Sequence, residues 1–472
     1  MEYADTFFLD PNEALKVAQQ YNKRDRYTLQ VCYYDGVIPE HNLPNLIKVS
    51  LDNLIDELAL GIHRLPTAIN FDGLELSSSV QASIIENFIF SVKQAQIIRN
   101  ELNKHYLDTL RNVKLDFSEP LRFYLMASAY TQVMQFISKN IADTLKMMGY
   151  DVLFHLDYGT LDPYCNKLLK EFNPHVTINI NHLNNTMISD DVFNIIWIQD
   201  HFALNRIDSS RIRKRDNLFH LVKNLGHRLK NRGIKSTYQP FCINTNIYRI
   251  MEDIKKEKKI VFIGTSYIKA FNTVKIKKKD KIVKEIYDDF LSNGFISKED
   301  RIKYINKIGI SKAEFSNIMN YVERDMALLY IIRQIITFLP DFCIEVYGWD
   351  WDVYDDIAPY YKGVLNYGED IAKVYNSAQY SLVLGGYVLQ QRTLESAASG
   401  CIPIILDPRK NSADEDSECF NESLLFMQKP DDIVDLLKEN REVNLKCIVE
   451  KNSYKSFVDK IVKTIKSEMN LT

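Results

Sequence analysis

Two successive open α/β layers, each a largely parallel sheet wrapped by helices, are predicted by this sequence behind a mainly helical N-terminal stretch. Three observations carry that class. From about residue 121 onward, short apolar runs rich in Val, Ile, Phe and Tyr alternate with amphipathic segments, the pattern of strand–crossover–strand units. Some of those runs end at glycine, as in "IVFIG" and "LVLGG". The chain of 472 residues also exceeds what one core ordinarily holds, so it divides into domains.

Residues 1–120 read as mainly helical. "PNEALKVAQQY" begins at a capping position and "LDNLIDELALGIHRL" has helical spacing. "SSSVQASIIENFIFSVKQAQIIRNELNKHYLDTL" repeats Ile84, Ile85, Phe88, Val92, Ala95 and Leu102 near the helical period, after serines that offer N-caps. Such helices suit packing on the next domain, on a partner or on a second copy of the chain.

Residues 121–250 alternate strand and helix. "RFYLMAS" is a strand, "QFISKNIADTLKMMG" a helix stopped by Gly149, "YDVLFHLD" a strand and "DPYCNKLLKEF" a helix, followed by the strands "HVTINI", "FNIIWIQD" and "NLFHLVK". This is a Rossmann-like half. The boundary falls at 241–258, where "YQPFCINTNIYR" gives way to the charged "MEDIKKEKK". Residues 251–452 form the second Rossmann-like half, through "KKIVFIGTSY", a lysine-rich helical stretch, "FCIEVYGWDW", "QYSLVLGG" and "CIPIILD". Residues 453–472 end the chain in an amphipathic helix, "SYKSFVDKIVKTIKSEM". Two open α/β halves predict a cleft lined by carboxyl ends of strands, where such sheets bind ligands.

Composition narrows the function. A formal net charge of -3 argues against a general polyanion binder, and basic runs such as "RIRKR" and "VKIKKKDKIVK" read as solvated or as local patches. No nucleic-acid motif accompanies them. Seven cysteines at wide spacing, without CxxC, suit packing in a reducing compartment. The start "MEYADTFFLDPNEALK" lacks the order of a signal peptide, and "MALLYIIRQIITFLPDFCIEVYGW" is broken by Arg333, Gln334 and Pro340, so neither reads as a membrane segment. A cytoplasmic protein is expected, with the lysine-rich segment and the last helix compatible with peripheral contact at an anionic membrane face.

One stretch carries chemistry: "QQRTLESAASGCIPIILD", residues 390–407. A loop feeding a helix N-terminus presents unpaired N–H groups to a diphosphate. Gly385, Gly386 and the segment Gln391, Arg392, Thr393 are expected just before such a helix, Arg392 adding a charge-assisted contact. Glu395, expected in the first helical turn, either accepts from ligand hydroxyls or complements the helix dipole. Ala397, Ala398, Ser399 and Gly400 allow close approach of helix to sheet.

With these residues in order, the region 120–470 resembles the GT-B nucleotide-sugar glycosyltransferases, most closely the spore-maturation-type (CgeB-like) branch with its R-x-x-E-x-x-x-x-G signature, here Arg392, Glu395 and Gly400. The resemblance implies that Glu395 binds two ribose hydroxyls and that the last helix crosses back to the first domain. It also implies that Gly264, Thr265 and Ser266 form a phosphate-facing turn, and that Gly348, Trp349 and Tyr367 surround the nucleobase. A simple strand-end turn and packing aromatics are the plain readings of the same residues. Lys269 either neutralises phosphate or stands exposed. Family enzymes of the retaining kind carry a second glutamate eight positions before the ribose-binding one, but that position is Tyr387, which leaves retention or inversion open.

For the acceptor side, Asp200 and His201 in "WIQDHFAL" follow an apolar strand and are the catalytic candidates: a general base for an inverting reaction, or, for His201, support of the donor sugar. A helix cap or core hydrogen bond is the plainer role. Ser128, Tyr130, Thr131 and Gln132 are weaker acceptor-loop candidates, and His155, Asp157 and His182 weaker still. The helix terminus and Arg392 would stabilise a leaving nucleoside diphosphate, so no metal and no cofactor beyond the nucleotide-sugar donor, a UDP-sugar first, is required. "DWD" at 350–352 reads as a loop. The expected function is transfer of a sugar to a glycan, lipid-linked or protein acceptor. A GT-B epimerase and a non-catalytic nucleotide-sugar-binding module that recruits a partner are the alternatives, and a dinucleotide-dependent oxidoreductase is disfavoured by the lack of GxGxxG.

Overall fold

The computed structural model describes residues 6–22, 31–34, 46–49, 53–61, 65–66, 68–128, 132–157, 163–409 and 418–469. The chain divides into two compact units, one of residues 1–219, 229–237 and 461–472, the other of residues 220–228 and 238–460. No helix among the described residues is long and apolar enough to cross a membrane.

The first unit begins with a sheet that the sequence reading leaves out. Strands β1 (Thr6–Phe8), β2 (Val31–Tyr34), β3 (Leu46–Val49) and β4 (Ala68–Asn70) pair in parallel in the order β3-β2-β1-β4. Three or four residues are too few to display a period of two. The predicted helices flank them as Pro11–Asn22, Leu54–Leu60 and Ser78–Leu110. The longest is capped by the Ser77 hydroxyl, which accepts from the Val80 amide. Its Phe88 meets Phe7 edge to face at 5.7 Å, while Ile85, Ile89, Phe90 and Ile97 remain exposed.

A second sheet, in this unit except for His220 and Tyr238 at its last two strands' ends, contains β5 (Arg122–Ser128), β6 (Asp151–Asp157), β7 (Val176–Ile180), β8 (Phe193–Ile198), β9 (Asp216–His220) and β10 (Thr237–Tyr238), in the order β10-β9-β8-β7-β5-β6. The pairings of β5 with β6 and β7, and of β7 with β8, are parallel. Every residue of β7 and β8 is buried, as expected for strands covered on both faces. Beneath them runs a polar network. Asn194 Oδ1 accepts from Thr177 and Asn179, and the Asp216 carboxylate accepts from Asn185, Asn194, the Arg213 amide and the Arg213 guanidinium. The Asp216 side chain has 0% exposure, and this pairing is what makes a buried carboxylate tolerable.

The second unit holds β11 (Glu257–Ile263), β12 (Cys343–Tyr347), β13 (Ala378–Val383), β14 (Ile402–Leu406) and β15 (Leu425–Met427) in one parallel sheet, ordered β12-β11-β13-β14-β15. Alternation puts Ile260, Phe262, Tyr380, Leu382, Ile404 and Leu406 into one core and Val261, Ile263, Val383 and Ile405 into another. Helices cover both faces. The segment 326–349 changes from helix to strand as predicted: Ala327–Phe338 buries Leu328, Ile331, Ile332 and Ile335 on one face before β12. The helix Tyr454–Met469 follows, with residues in both units.

The cysteines depart in one place from the reading as packing residues. Cys165, Cys242, Cys343 and Cys401 are free thiols, but Cys447 is disulfide-bonded.

Two predictions follow from the first unit. Replacing Asp216 with alanine takes the close carboxylate from Arg213, which is only 14% exposed and keeps Asp190 at 3.8 Å and the carbonyls of Ile188, Ser189 and Val192, and is expected to cost about 3 kcal/mol; urea denaturation measures it, and a loss below about 1 kcal/mol would show the network to be dispensable. His155 on β6 is held neutral, its pKa lowered from 6.5 to about 4 by burial, and its Nε2 has no hydrogen-bond partner. Because the unfolded chain binds that proton more readily, stability is full above pH 6.5 and falls as the pH drops towards 4, by roughly 3 kcal/mol at 1.36 kcal/mol per pH unit. His155→Phe should flatten the stability profile between pH 6.5 and 4, and an unchanged slope would assign the acid sensitivity elsewhere.

Candidate functional site

In the second unit, the chain runs from β11 outward to β12 and then returns to β13 on the other side of β11. That reversal between β11 and β13 is the switch point at which doubly wound sheets bind ligands, beyond their carboxyl ends. Gly264 follows β11, and Gly385 and Gly386 follow β13. The sequence-predicted turns therefore meet at one edge of this sheet.

The first turn is held from three sides. The Gly264 amide donates to Tyr347 O and the Ser266 amide to Trp349 O, while Trp351 Nε1 donates to Gly264 O at 2.6 Å. Gly348 is at φ +130°, and a Cβ there would stand 1.9 Å from Gly264 O. No side chain fits, so Gly348 is fixed by backbone contact. Thr265 is exposed at the tip and Ser266 is buried.

Beneath the turn lies Asp325, which sequence reasoning missed. It sits in a π-helical turn, Tyr321–Met326, and is fully buried. Its carboxylate accepts from the Ser266 hydroxyl at 2.6 Å, the Tyr267 amide at 2.9 and 3.1 Å and the Tyr354 hydroxyl at 2.8 Å. Burial pushes its pKa up against these donors. Its neighbour Arg324 donates to the Tyr267 hydroxyl at 2.6 Å and lies against that ring. "YVERDM" gives no motif for either residue; the available signal is a charged triplet within an otherwise apolar helical run.

The second turn uses two left-handed glycines, Gly385 at φ +67° and Gly386 at φ +82°. A Cβ on Gly385 would meet Arg324 Nε at 2.7 Å. Gln390 Nε2 donates back to Gly385 O, and the helix Gln391–Ala398 starts at the next residue. Here the structure corrects the expected register. Gln391, Arg392 and Thr393 form the first turn of the helix instead of preceding it, and Glu395 is one turn deeper. The dipole account of Glu395 loses its basis, since that effect fades beyond the first turn.

Glu395 and Thr393 are both fully buried. Arg392 Nη1 pairs with Glu395 Oε2 at 2.5 Å, so the arginine expected to reach phosphate is engaged internally. Burial raises the Glu395 pKa, with Arg392, Tyr248 and Gln391 beside it pulling the other way. Burial opposes the Arg392 charge, and Glu395 more than offsets it. Glu395 Oε1, the Tyr248 hydroxyl and both Gln391 amide atoms are buried yet complete no hydrogen bond of good geometry. In a native interior such groups call for a partner.

Of the expected base-contacting aromatics, Tyr367 presents its ring to Tyr248 at 6.2 Å, edge to face, next to the Glu395 cluster. Trp349 is half-buried. Trp351, two residues on, is the core aromatic, packed on Phe262 at 5.4 Å. Lys269 is exposed, as one of its two readings expects, and pairs with Asp350 at 2.7 Å, so the "DWD" loop contributes its first carboxylate to that pair. Tyr387 lines a small apolar recess with Val388, Leu389, Pro240 and Phe420.

In the first unit, Asp200 caps the helix His201–Asn205. Its Oδ1 accepts from the Ala203 amide at 2.6 Å, and its Oδ2 from Asn181 at 2.7 Å. His201 opens the helix and is exposed. Burial lowers the pKa of nearby His182, with Arg206 adding to the effect and Asp200 opposing it. Tyr130 and Thr131 lie outside the described residues, as do the side chains of Ser128, Gln132 and Asp157.

No protein-family model matches the chain, and no curated protein sequence matches it. Among solved structures, the chain is similar to a glycosyltransferase from Rickettsia africae ESF-5, at 9% identity over 75% of this chain and 100% of that one, with a TM-score of 0.45. It is similar to the glycosyltransferase SnogD from Streptomyces nogalater at 8% identity, over 73% of this chain and 100% of that one, with a TM-score of 0.35. A mutant of S. aureus TarM in complex with fondaparinux, alpha-GlcNAc-glycerol and UDP matches at 11% identity over 64% of this chain and 58% of that one, with a TM-score of 0.36. At these identities and scores the likeness lends no role to any residue of this chain.

Proposed function

We propose that the chain is a GT-B-type glycosyltransferase, whose second unit binds a nucleotide-sugar donor at the β11/β13 switch point. One observation carries the reading: Glu395, on the helix that leaves the Gly385–Gly386 turn, is a buried carboxylate with one oxygen that completes no hydrogen bond of good geometry, facing a Tyr248 hydroxyl in the same condition. Two neighbouring ribose hydroxyls are the donors such a cluster lacks. Gly264, Thr265 and Ser266 on one side, and Gly385, Gly386 and the helix start at Gln391 on the other, present backbone to the diphosphate. Gly348, Trp349 and Tyr367 are the base-side residues, Gly348 through its backbone alone.

In the reaction, the leaving diphosphate gains negative charge as the sugar becomes cationic in character, and the fixed N–H groups stabilise it. On the acceptor side, the exposed His201 is the proton acceptor of choice. Asp200, with each oxygen already accepting one hydrogen bond, positions the His201 helix. The acceptor is a glycan, a lipid-linked glycan or a protein, and UDP-sugars are the first donors to test. The exposed apolar side chains of Ser78–Leu110 keep partner recruitment as a second reading.

Calorimetric titration with nucleoside diphosphates and nucleotide sugars tests the proposal. Wild type should select one donor, and Glu395→Ala should weaken it by about 10- to 100-fold, the worth of hydrogen bonds to a charged group. Binding to none of the panel, or equal affinity in the variant, rejects the site. Release of free sugar or an isomer without acceptor would indicate the epimerase, and binding without any turnover would indicate the interaction module.

A further inference from the structure

We infer that Arg324, on the π-helical turn, is the cation that grips the donor's diphosphate, an inference that rests on the donor-site reading above. Among the described residues, the cations on the elements that form and flank the two glycine turns are Lys269, Arg392 and Arg324. Lys269 is paired with Asp350 and Arg392 with Glu395. Among the described residues, no carboxylate comes within ion-pair distance of Arg324, and its one hydrogen bond goes to the neutral Tyr267 hydroxyl. A guanidinium carries five N–H donors, so most of its fork remains available for an anion, and the side chain is only partly buried.

Position supports the same assignment. Tyr267, directly after the Gly264–Ser266 turn, holds the guanidinium at 4.8 Å from its ring centre. On the other side, Arg324 Nε approaches Gly385 so closely that a Cβ there would lie 2.7 Å away. The arginine is thus wedged between the two turns that present backbone to the diphosphate. Asp325, the next residue, anchors the first of these turns through Ser266 and Tyr267. Consecutive residues of a helix point to different sides of its axis, which lets one element lock a turn with Asp325 and reach past it with Arg324. π-Helical insertions are frequent at functional sites. A planar fork that meets phosphate oxygens in pairs is the chemistry of arginine–phosphate recognition.

The test is calorimetric titration of full-length wild type, Arg324→Gln and Arg324→Lys with UDP, GDP, ADP and TDP and with the matching monophosphates, beside thermal melts. The diphosphate that wild type selects should bind about 10- to 100-fold more weakly to Arg324→Gln, with a smaller loss for its monophosphate. Arg324→Lys, which keeps the charge without the fork, should recover part of the affinity and stands in if the glutamine variant does not fold. Equal diphosphate affinity in wild type and Arg324→Gln overturns the inference and leaves the donor site standing. Equal losses for monophosphate and diphosphate make Arg324 a mere support of Tyr267, which also overturns it. A wild type that binds none of the four diphosphates overturns both readings.

Discussion

The hydrogen-bonded carboxylate of Asp325 is the constraint on which the candidate site depends. It has no exposure, and in that setting a charge persists only when surrounded by donors. The Ser266 hydroxyl, the Tyr267 amide and the Tyr354 hydroxyl supply them. The dependence is mutual, since without Asp325 the Tyr267 amide would be left unpaired, at about 1–3 kcal/mol, and the Ser266 hydroxyl would keep only the Ile268 amide and the more distant Tyr354 hydroxyl. The turn after β11 is therefore positioned by a helix that joins the chain some sixty residues later. The Gly348–Gly264 approach closes the turn from the opposite side, so its backbone has little freedom left to lose when a ligand arrives.

How much of this was legible follows from the range of each interaction. The strands β5 to β9 and β11 to β14 announce themselves because strands covered on both faces must be apolar throughout, and "FNIIWI" or "CIPIIL" cannot be much else. Gly264, Gly385 and Gly386 were readable for the same local reason, as glycines that end apolar runs. Asp325 and Arg324 were not. A charged pair in a helical stretch ordinarily faces water, and only the fold reveals that Asp325 faces Ser266. The N-terminal sheet stayed hidden because its strands are short. The disulfide at Cys447 stayed hidden because connectivity cannot be deduced from wide spacing.

The register of the signature helix shows the limit of motif reading most clearly. "QRTLES" was read with its polar residues before the helix, where phosphate contacts are usual. Gln390 instead turns back onto Gly385 O, which ends the loop early and carries Arg392 and Glu395 inward as an i, i+3 pair. Spacing in the sequence was sufficient to place the two residues on one helical face. It was silent on whether they would face a ligand or each other.

That internal pair bears on selectivity. A ligand that takes up Glu395 must replace part of what Arg392 gives it, in a setting where an uncompensated buried charge costs several kcal/mol. A ribose offers two neutral donors, which compensate a carboxylate less than a guanidinium does, so it is best accepted in addition to Arg392, at Oε1, which faces Tyr248 without completing a hydrogen bond of good geometry. The division of cations then has a physical logic. On the proposed reading, Arg392 stays inside to oppose the burial that raises the Glu395 pKa, and Arg324, whose charge also acts on Glu323 and Asp325 but which forms no ion pair among the described residues, is left to meet the charge of the phosphates. A site arranged in this way rewards a ligand that carries both a diol and a diphosphate at the right separation, and discriminates against either group alone, because each leaves one half of the machinery unsatisfied.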